Sequence, residues 1–239
     1  MKTIFLTAGS GSRLNYLTKK KHKSLLNINK KEIILGKLVK QFHAQGCLKK
    51  DITFITGYKS KQIFNYFGAN YKYFYYNNFY KTNNLHTLIA AHNTITKNDT
   101  IISFSDIVIQ SEAIKKIYKK KIKDITLLVD TSKVRNGTMK IKLKNENQIE
   151  RIGKIPRKFS NGNYIGILKI PKKKINIFKN SLLSSFAKNK KSYFTEILND
   201  LIQIRNEKIK IIDIKTQNWI EVDNFSDYKK LQNRYKDFY

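Results

Sequence analysis

Three groups of residues in this sequence have the chemistry and spacing to act on a phosphorylated substrate. The first is the run Leu6-Thr7-Ala8-Gly9-Ser10-Gly11-Ser12-Arg13-Leu14, which continues the apolar Ile4-Phe5-Leu6. Glycines at 9 and 11 let the backbone take positive φ and come close to a ligand. Successive N–H groups in such a loop form a nest for phosphate oxygens, and the Arg13 guanidinium adds a charged fork. A lysine cluster follows, Lys19, Lys20, Lys21 and Lys23. Glycine loop, arginine and then lysine read as a site for a nucleoside triphosphate. A Gly-x-Gly pair alone is most often a tight turn. This one is neither a dinucleotide fingerprint, because Leu14 replaces the third glycine, nor a P-loop, because no Gly-Lys-Ser/Thr follows.

The other two groups are acidic and far apart in the chain. Asp106 follows the strand-like run Thr100–Phe104. Ligands of open α/β sheets bind at the carboxyl ends of parallel strands, although an aspartate there can equally cap a helix. Glu221 and Asp223 lie in Trp219-Ile220-Glu221-Val222-Asp223, and strand alternation puts both carboxylates on one face. Side by side they repel unless a cation lies between them or water screens them. A dry site holding both argues for a metal; an exposed edge does not.

The loop resembles the signature of the nucleotidyltransferases that activate phosphorylated sugars and small alcohols, Ala-Gly-x-Gly-x-Arg-Leu followed by Pro-Lys. Lys23 falls where that family has its lysine, and His22 stands where proline is usual. Tyr80-Lys81-Thr82-Asn83-Asn84-Leu85-His86-Thr87-Leu88 resembles the Asn-Asn-x-x-Ser/Thr-Leu element of the cytidylyltransferases acting on phosphocholine and related compounds. Helix capping would by itself account for Thr82 and Asn83. Trp219–Asp227 resembles the family's Trp-x-Glu-Ile-Asp-x-x-x-Asp-Leu segment. Gly153-Lys154 and Asn163-Tyr164-Ile165-Gly166 recur where the family keeps a phosphate-binding lysine and a Tyr-x-Gly strand.

The resemblance covers nearly the whole chain. It implies a Mg²⁺-dependent cytidylyltransferase that joins CMP from CTP to a small phosphorylated amine or amino acid and releases pyrophosphate. Phosphoglutamine is the favoured acceptor, a step toward the phosphoramidate modification of bacterial capsules; phosphocholine and 2-aminoethylphosphonate are alternatives. By the same resemblance Arg13 and Lys23 are catalytic. Leu6, Ala8, Gly9, Ser10, Gly11, Ser12, Gly57, Thr82, Asn83, Asn84 and Thr87 meet the nucleotide. Lys154, Tyr164 and Gly166 meet the acceptor, and Asp106, Glu221 and Asp223 hold Mg²⁺. The rival within the superfamily is a sugar-1-phosphate nucleotidyltransferase. A glycosyltransferase would show Asp-x-Asp where this chain has Ser105-Asp106-Ile107-Val108.

Positioning these residues requires an α/β fold. Strands at 4–6, 51–55, 71–76 and 100–104 alternate with helices at 32–45, 59–67 and from about 82 to 95, the pattern of a parallel sheet with crossovers. After a basic helix at 112–121 and a strand at 125–129 the pattern changes. Segments 139–143 and 149–152 read as an antiparallel pair across Lys144–Asn147. Helices at 175–186 and 193–204, a strand at 209–214 and a closing helix at 228–235, capped by Asp227, complete the chain. The expectation is a Rossmann-like, mostly parallel mixed sheet flanked by helices, with a small antiparallel acceptor lobe. Residues 1–239 form one domain, nucleotide-binding over about 1–130, with the lobe and closing elements over about 131–239.

Composition narrows the function classes. The chain has 239 residues, is 41% hydrophobic and carries a formal charge of +31, enough apolar content for a full core. No apolar run approaches the roughly 18 residues of a membrane span, and the glycine loop interrupts any signal peptide. Cys47 stands alone, which fits a reducing cytoplasm. The lysines are spread along the whole chain among abundant Asn, Ile, Tyr and Phe. That pattern reads as compositional bias that steers anionic substrates rather than as a nucleic-acid interface. A basic nucleic-acid-binding protein remains the non-enzyme alternative, and oligomeric state is open, a homodimer included.

Overall fold

The computed structural model describes residues 1–216 and 218–238. Its first half contains β1 (Lys2–Thr7), α1 (Tyr16–Lys20), α2 (Ile34–Ala44), β2 (Ile52–Thr56), α3 (Ser60–Phe67), β3 (Lys72–Tyr75), α4 (Asn84–Ala90), β4 (Thr100–Phe104), β5 (Ile107–Ile109) and α5 (Ser111–Lys119). The second half contains β6 (Ile125–Asp130), β7 (Lys140–Asn145), β8 (Gln148–Gly153), β9 (Gly162–Ile170), α6 (Ile175–Ser184), α7 (Thr195–Gln203), β10 (Ile209–Asp213), β11 (Trp219–Glu221) and α8 (Phe225–Arg234).

One sheet runs β3-β2-β1-β4-β9-β6-β10-β8-β7. Parallel pairing joins β3, β2, β1 and β4, and again β6 and β10, while β9 runs antiparallel between β4 and β6. The sheet is covered on both faces, which is why its strands read as nearly continuous apolar runs. Strand alternation divides the core. Ile4 and Leu6 of β1 join Leu85 and Leu88 of α4 and Leu198 of α7 on one side. Phe5 joins Leu38 and Phe42 of α2 on the other. A smaller cluster, including Leu14, Val108, Val222 and Leu231, seats α8 against the glycine loop. Tyr71 and Tyr73 pack on Phe54, so they serve the sheet.

Several expectations from sequence are corrected. The antiparallel hairpin is present, but β8 pairs with β10 and β7 with β9, so it is part of the main sheet's hydrogen bonding rather than a lobe standing apart. The closing helix starts at Phe225, three residues early, because Asn224 is its N-cap and Asp227 completes a capping box from inside the first turn. The helix expected up to residue 95 is α4 followed by a tighter turn over His92–Thr94. Among the described residues no helix is long and apolar enough to cross a membrane.

Candidate active site

The acidic residues converge because of a strand too short to recognise in the sequence. β5 pairs antiparallel with β11, setting Ile107 opposite Glu221. The Val222 N–H donates to the Asp106 carbonyl at 2.9 Å. This two-stranded ribbon carries Asp106, Glu221 and Asp223 to one place, where carboxylate oxygens, one from each, lie within 4.8 Å of one another. Two cations face them: Lys23 pairs with Asp106, and Arg13 Nη2 lies 2.9 Å from Asp223 Oδ2.

The charges do not balance. Burial, then Asp106 and Asp223, push the Glu221 carboxyl well above its ordinary pKa. Burial and Asp106 likewise raise Asp223. Burial works against the Lys23 ammonium, but Asp106 and then Asp223 outweigh it and raise its pKa. Asp106 Oδ1 is buried and accepts no hydrogen bond. A buried acceptor without a partner beside mutually repelling carboxylates is the environment a hard divalent cation satisfies, and an all-oxygen donor set suits Mg²⁺.

The glycine loop meets this cluster from the end of β1. Gly9 and Ser10 are exposed, but of the two glycines only Gly11 takes positive φ, at 65°. A Cβ there would also meet Lys23 Cβ and Cδ at 3.0 Å, so Gly11 leaves the room through which the Lys23 stem passes. Two hydroxyls lock that approach. Ser24 Oγ donates to Ser105 Oγ at 2.8 Å, and Ser105 Oγ donates to the Leu6 carbonyl at 2.8 Å. The loops bearing Lys23 and Asp106 are thereby tied to β1.

His22, in the position where the resembled family has proline, takes the backbone of a proline, with φ −62°. It adds what proline cannot: its N–H donates to Gln62 Oε1 at 2.8 Å. Its buried ring bridges the Thr7 carbonyl (Nε2, 3.0 Å) and the Ser24 N–H (Nδ1, 3.1 Å). Ring Nε2 is therefore the protonated nitrogen and the imidazole is neutral. Burial, helped by the Lys23 charge, lowers its pKa from 6.5 to about 4. Because the unfolded chain binds the proton more readily, the stabilisation is complete above about pH 6.5 and is lost as pH falls toward 4. That loss amounts to about 3 kcal/mol at ~1.4 kcal/mol per unit. Denaturant unfolding between these pH values measures it, and His22→Gln should flatten the slope.

A cleft of about 630 Å³ opens over the cluster at the carboxyl ends of β1 and β4. Of the sequence candidates, Leu6, Ala8, Gly9, Arg13, Lys23, Asp106, Glu221 and Asp223 line it. So do Thr82, Asn83, Asn84 and Thr87 on one wall and Lys154 on another. Ser10 and Ser12 instead face a neighbouring groove with Tyr16 and Tyr58. Gly57 and Gly166 lie behind the wall: a Cβ would meet the Phe79 ring at 2.8 Å and the Phe104 ring at 2.5 Å. Tyr164 is buried beside Phe104 and Phe194, its hydroxyl without a partner, and does not reach the cleft. These two acceptor candidates therefore support Phe104 rather than meet a ligand.

The asparagines are partly committed elsewhere. Asn83 Oδ1 accepts from the Asn84 N–H and its Nδ2 donates to the Lys191 carbonyl at 3.2 Å. Asn84 Oδ1 accepts from the Phe194 N–H at 2.8 Å, so both side chains anchor the segment ahead of α7. Thr82 donates to the Asn78 carbonyl and is no cap. Sequence reasoning missed Phe79, Thr138, Met139, Lys140 and Tyr193 on the cleft wall. A buried lysine at 140, on the face that β-alternation assigns to solvent, left no signal; Lys142 and Lys144 on that face are exposed.

A family model described as nucleotidyl transferase matches residues 2–237. A CTP:phosphoglutamine cytidylyltransferase of Campylobacter jejuni is 27% identical over 253 aligned positions, covering 95% of this chain and 97% of its own. The fold is similar to a CTP:phosphocholine cytidylyltransferase from Streptococcus pneumoniae (TM-score 0.76, 16% identity, 97% of each chain). It is equally similar to an inositol-1-phosphate CTP transferase from T. maritima (TM-score 0.76, 18% identity, 98% of this chain and 96% of that one). A UDP-glucose pyrophosphorylase matches as well (TM-score 0.75, 17% identity, 98% of each chain). With a family model spanning nearly all of the chain, and a cleft whose loop and acidic cluster suit nucleotide chemistry, the protein belongs to the nucleotidyl transferase family of enzymes.

Proposed function

We propose that this enzyme is a Mg²⁺-dependent cytidylyltransferase that transfers CMP from CTP to a small phosphorylated acceptor, phosphoglutamine being favoured. The observation that carries the reading is the carboxylate trio of Asp106, Glu221 and Asp223 facing Lys23 and Arg13 beneath the glycine loop. The cytidylyltransferases among its relatives support the choice of CTP.

In this reading the Gly9–Ser12 amides and Arg13 take the β- and γ-phosphates, as a nest and a charged fork would. Ala8 and the wall formed by Thr82, Asn83, Asn84 and Thr87 confine the nucleoside. A phosphate oxygen of the acceptor attacks the α-phosphorus in line. The bond to the bridging oxygen of the β-phosphate breaks, and pyrophosphate leaves with that oxygen. Lys23 stabilises the charge that grows on the α-phosphoryl oxygens, and Lys154 holds the acceptor phosphate. Positioning and charge neutralisation carry such a transfer, with little covalent work for the protein. Asp106, Glu221 and Asp223 would hold Mg²⁺, which when bound supplies further neutralisation of the phosphates.

Pyrophosphate release across a panel tests this reading, with CTP, UTP, GTP, ATP and dTTP each offered phosphoglutamine, phosphocholine, 2-aminoethylphosphonate and glucose 1-phosphate. Turnover confined to CTP with a small phosphorylated amine or amino acid, abolished by chelator, is the expected pattern. Preference for glucose 1-phosphate with another nucleotide would move the enzyme to the sugar-1-phosphate class.

A further inference from the structure

Burying a lysine ammonium costs several kcal/mol unless a counter-charge or several acceptors meet it. Two buried lysines of this protein show the contrast. Lys169, 3% exposed, donates to the carbonyls of Tyr118 and Lys120 at 2.9 and 2.8 Å, at the end of α5 where helix carbonyls favour a cation. Lys140, 8% exposed and on the cleft wall, has one neutral acceptor, the Thr138 carbonyl at 3.2 Å. Among the described residues no carboxylate forms an ion pair with it.

The rest of the wall sharpens the point. Among the described residues the acidic groups lining the cleft are Asp106, Glu221 and Asp223, and the lysine on the same wall as Lys140 is Lys154, exposed and 5.0 Å from the Tyr193 ring centroid. Thr138 borders both this cleft and the groove behind Glu221 and Asp223. Lys140 lies two residues further along the chain, at most ~7 Å away between α-carbons. With Lys154 assigned to the acceptor phosphate, Lys140 is left on the same cleft for a second anionic group of the ligand.

We propose that Lys140 is the counter-charge for a carboxylate on the acceptor, so that this site selects phosphorylated amino acids over phosphorylated amines such as phosphocholine. The proposal rests on the cytidylyltransferase reading above and adds the residue that chooses the acceptor. It names Lys140 as a specificity residue touching the substrate away from the reacting phosphorus.

The test compares phosphoglutamine with its analogue lacking the α-carboxylate, using the full chain, CTP and Mg²⁺. Wild type should prefer phosphoglutamine by about a hundredfold in kcat/KM, the size expected of a buried charge pair. Lys140→Met should remove that preference by lowering kcat/KM for phosphoglutamine alone, with KM for CTP and the melting temperature unchanged. Lys140→Gln, which can keep the bond to the Thr138 carbonyl, repeats the comparison should the Met variant fail to fold. Lys140→Arg should recover part of the preference. Equal loss on both acceptors would mean that Lys140 holds the phosphate, and no loss on either would mean that it holds nothing; both results overturn the proposal. Turnover of neither acceptor, with phosphocholine turned over instead, overturns this inference and leaves the cytidylyltransferase reading standing; turnover of none of the phosphorylated amines or amino acids with CTP rejects that reading as well.

Discussion

Glu221→Gln should abolish turnover and yet make the metal-free protein more stable, while Asp106→Asn abolishes turnover without that gain. Loss of either carboxylate should lower kcat by about a thousandfold, the upper range for removing one preorganised electrostatic group. The stability effects diverge because the two acids have different neighbours. Glu221 is held protonated-leaning by burial and by Asp106 and Asp223. Asp106 is the partner of Lys23, and neutralising it leaves a buried ammonium without its nearest counter-charge.

The sign of the pH dependence follows. The folded pKa of Glu221 lies above its unfolded value, so its contribution is fully present below the ordinary carboxylate pKa. That contribution is lost as pH rises toward the elevated folded one. Relative to Glu221→Gln, which shares the opposing His22 titration, metal-free wild type should lose stability across that window, and Mg²⁺ should restore wild type at neutral pH. Thermal melts at a series of pH values, with Mg²⁺ or with chelator, read both effects. A destabilised Glu221→Gln protein would contradict the repulsion on which the cation site is argued.

Lys23→Met is the second large effect. If Lys23 meets the α-phosphate as proposed, removing its ammonium should lower kcat by about a hundredfold to a thousandfold, with a smaller change in KM for the nucleotide. Lys23→Arg should not rescue it, because the stem runs so close to Gly11 that a Cβ there would meet it at 3.0 Å, and the planar fork needs a different approach. Lys23 also neutralises Asp106 when no metal is bound, so the Met variant should show a larger Mg²⁺-induced rise in melting temperature than wild type. Steady-state kinetics and the same melts separate the two roles. Unchanged kcat in Lys23→Met would remove Lys23 from the reaction.

Much of the fold is legible in the sequence. The alternation of apolar strands and amphipathic helices through residue 104 marks the parallel half of the sheet, and Gly9, Arg13 and the acidic pair at 221 and 223 are residues that the structure brings together at one cleft. What escaped reading has physical causes. Ile107–Ile109 is a three-residue apolar run, which periodicity cannot distinguish from the end of β4, yet it is the strand that brings Asp106 to Glu221. Asn83 and Asn84 offer the same donors and acceptors to a base as to a backbone, and the structure gives three of those groups to backbone partners. Lys140 sits on an edge-like, lysine-rich hairpin whose pairing with β9 buries one lysine and leaves the others in water. His22 replaces a proline's rigidity with three hydrogen bonds, none of which the sequence announces.

The central claim is that Asp106, Glu221 and Asp223 share a divalent cation at the point of nucleotidyl transfer. Anomalous scattering from crystals grown with Mn²⁺ and CTP addresses it without reference to rate. A peak within bonding distance of oxygens from all three carboxylates, with the CTP phosphates against it, is the predicted result. Bound CTP with no peak among those carboxylates, or with the metal held elsewhere, would contradict the account.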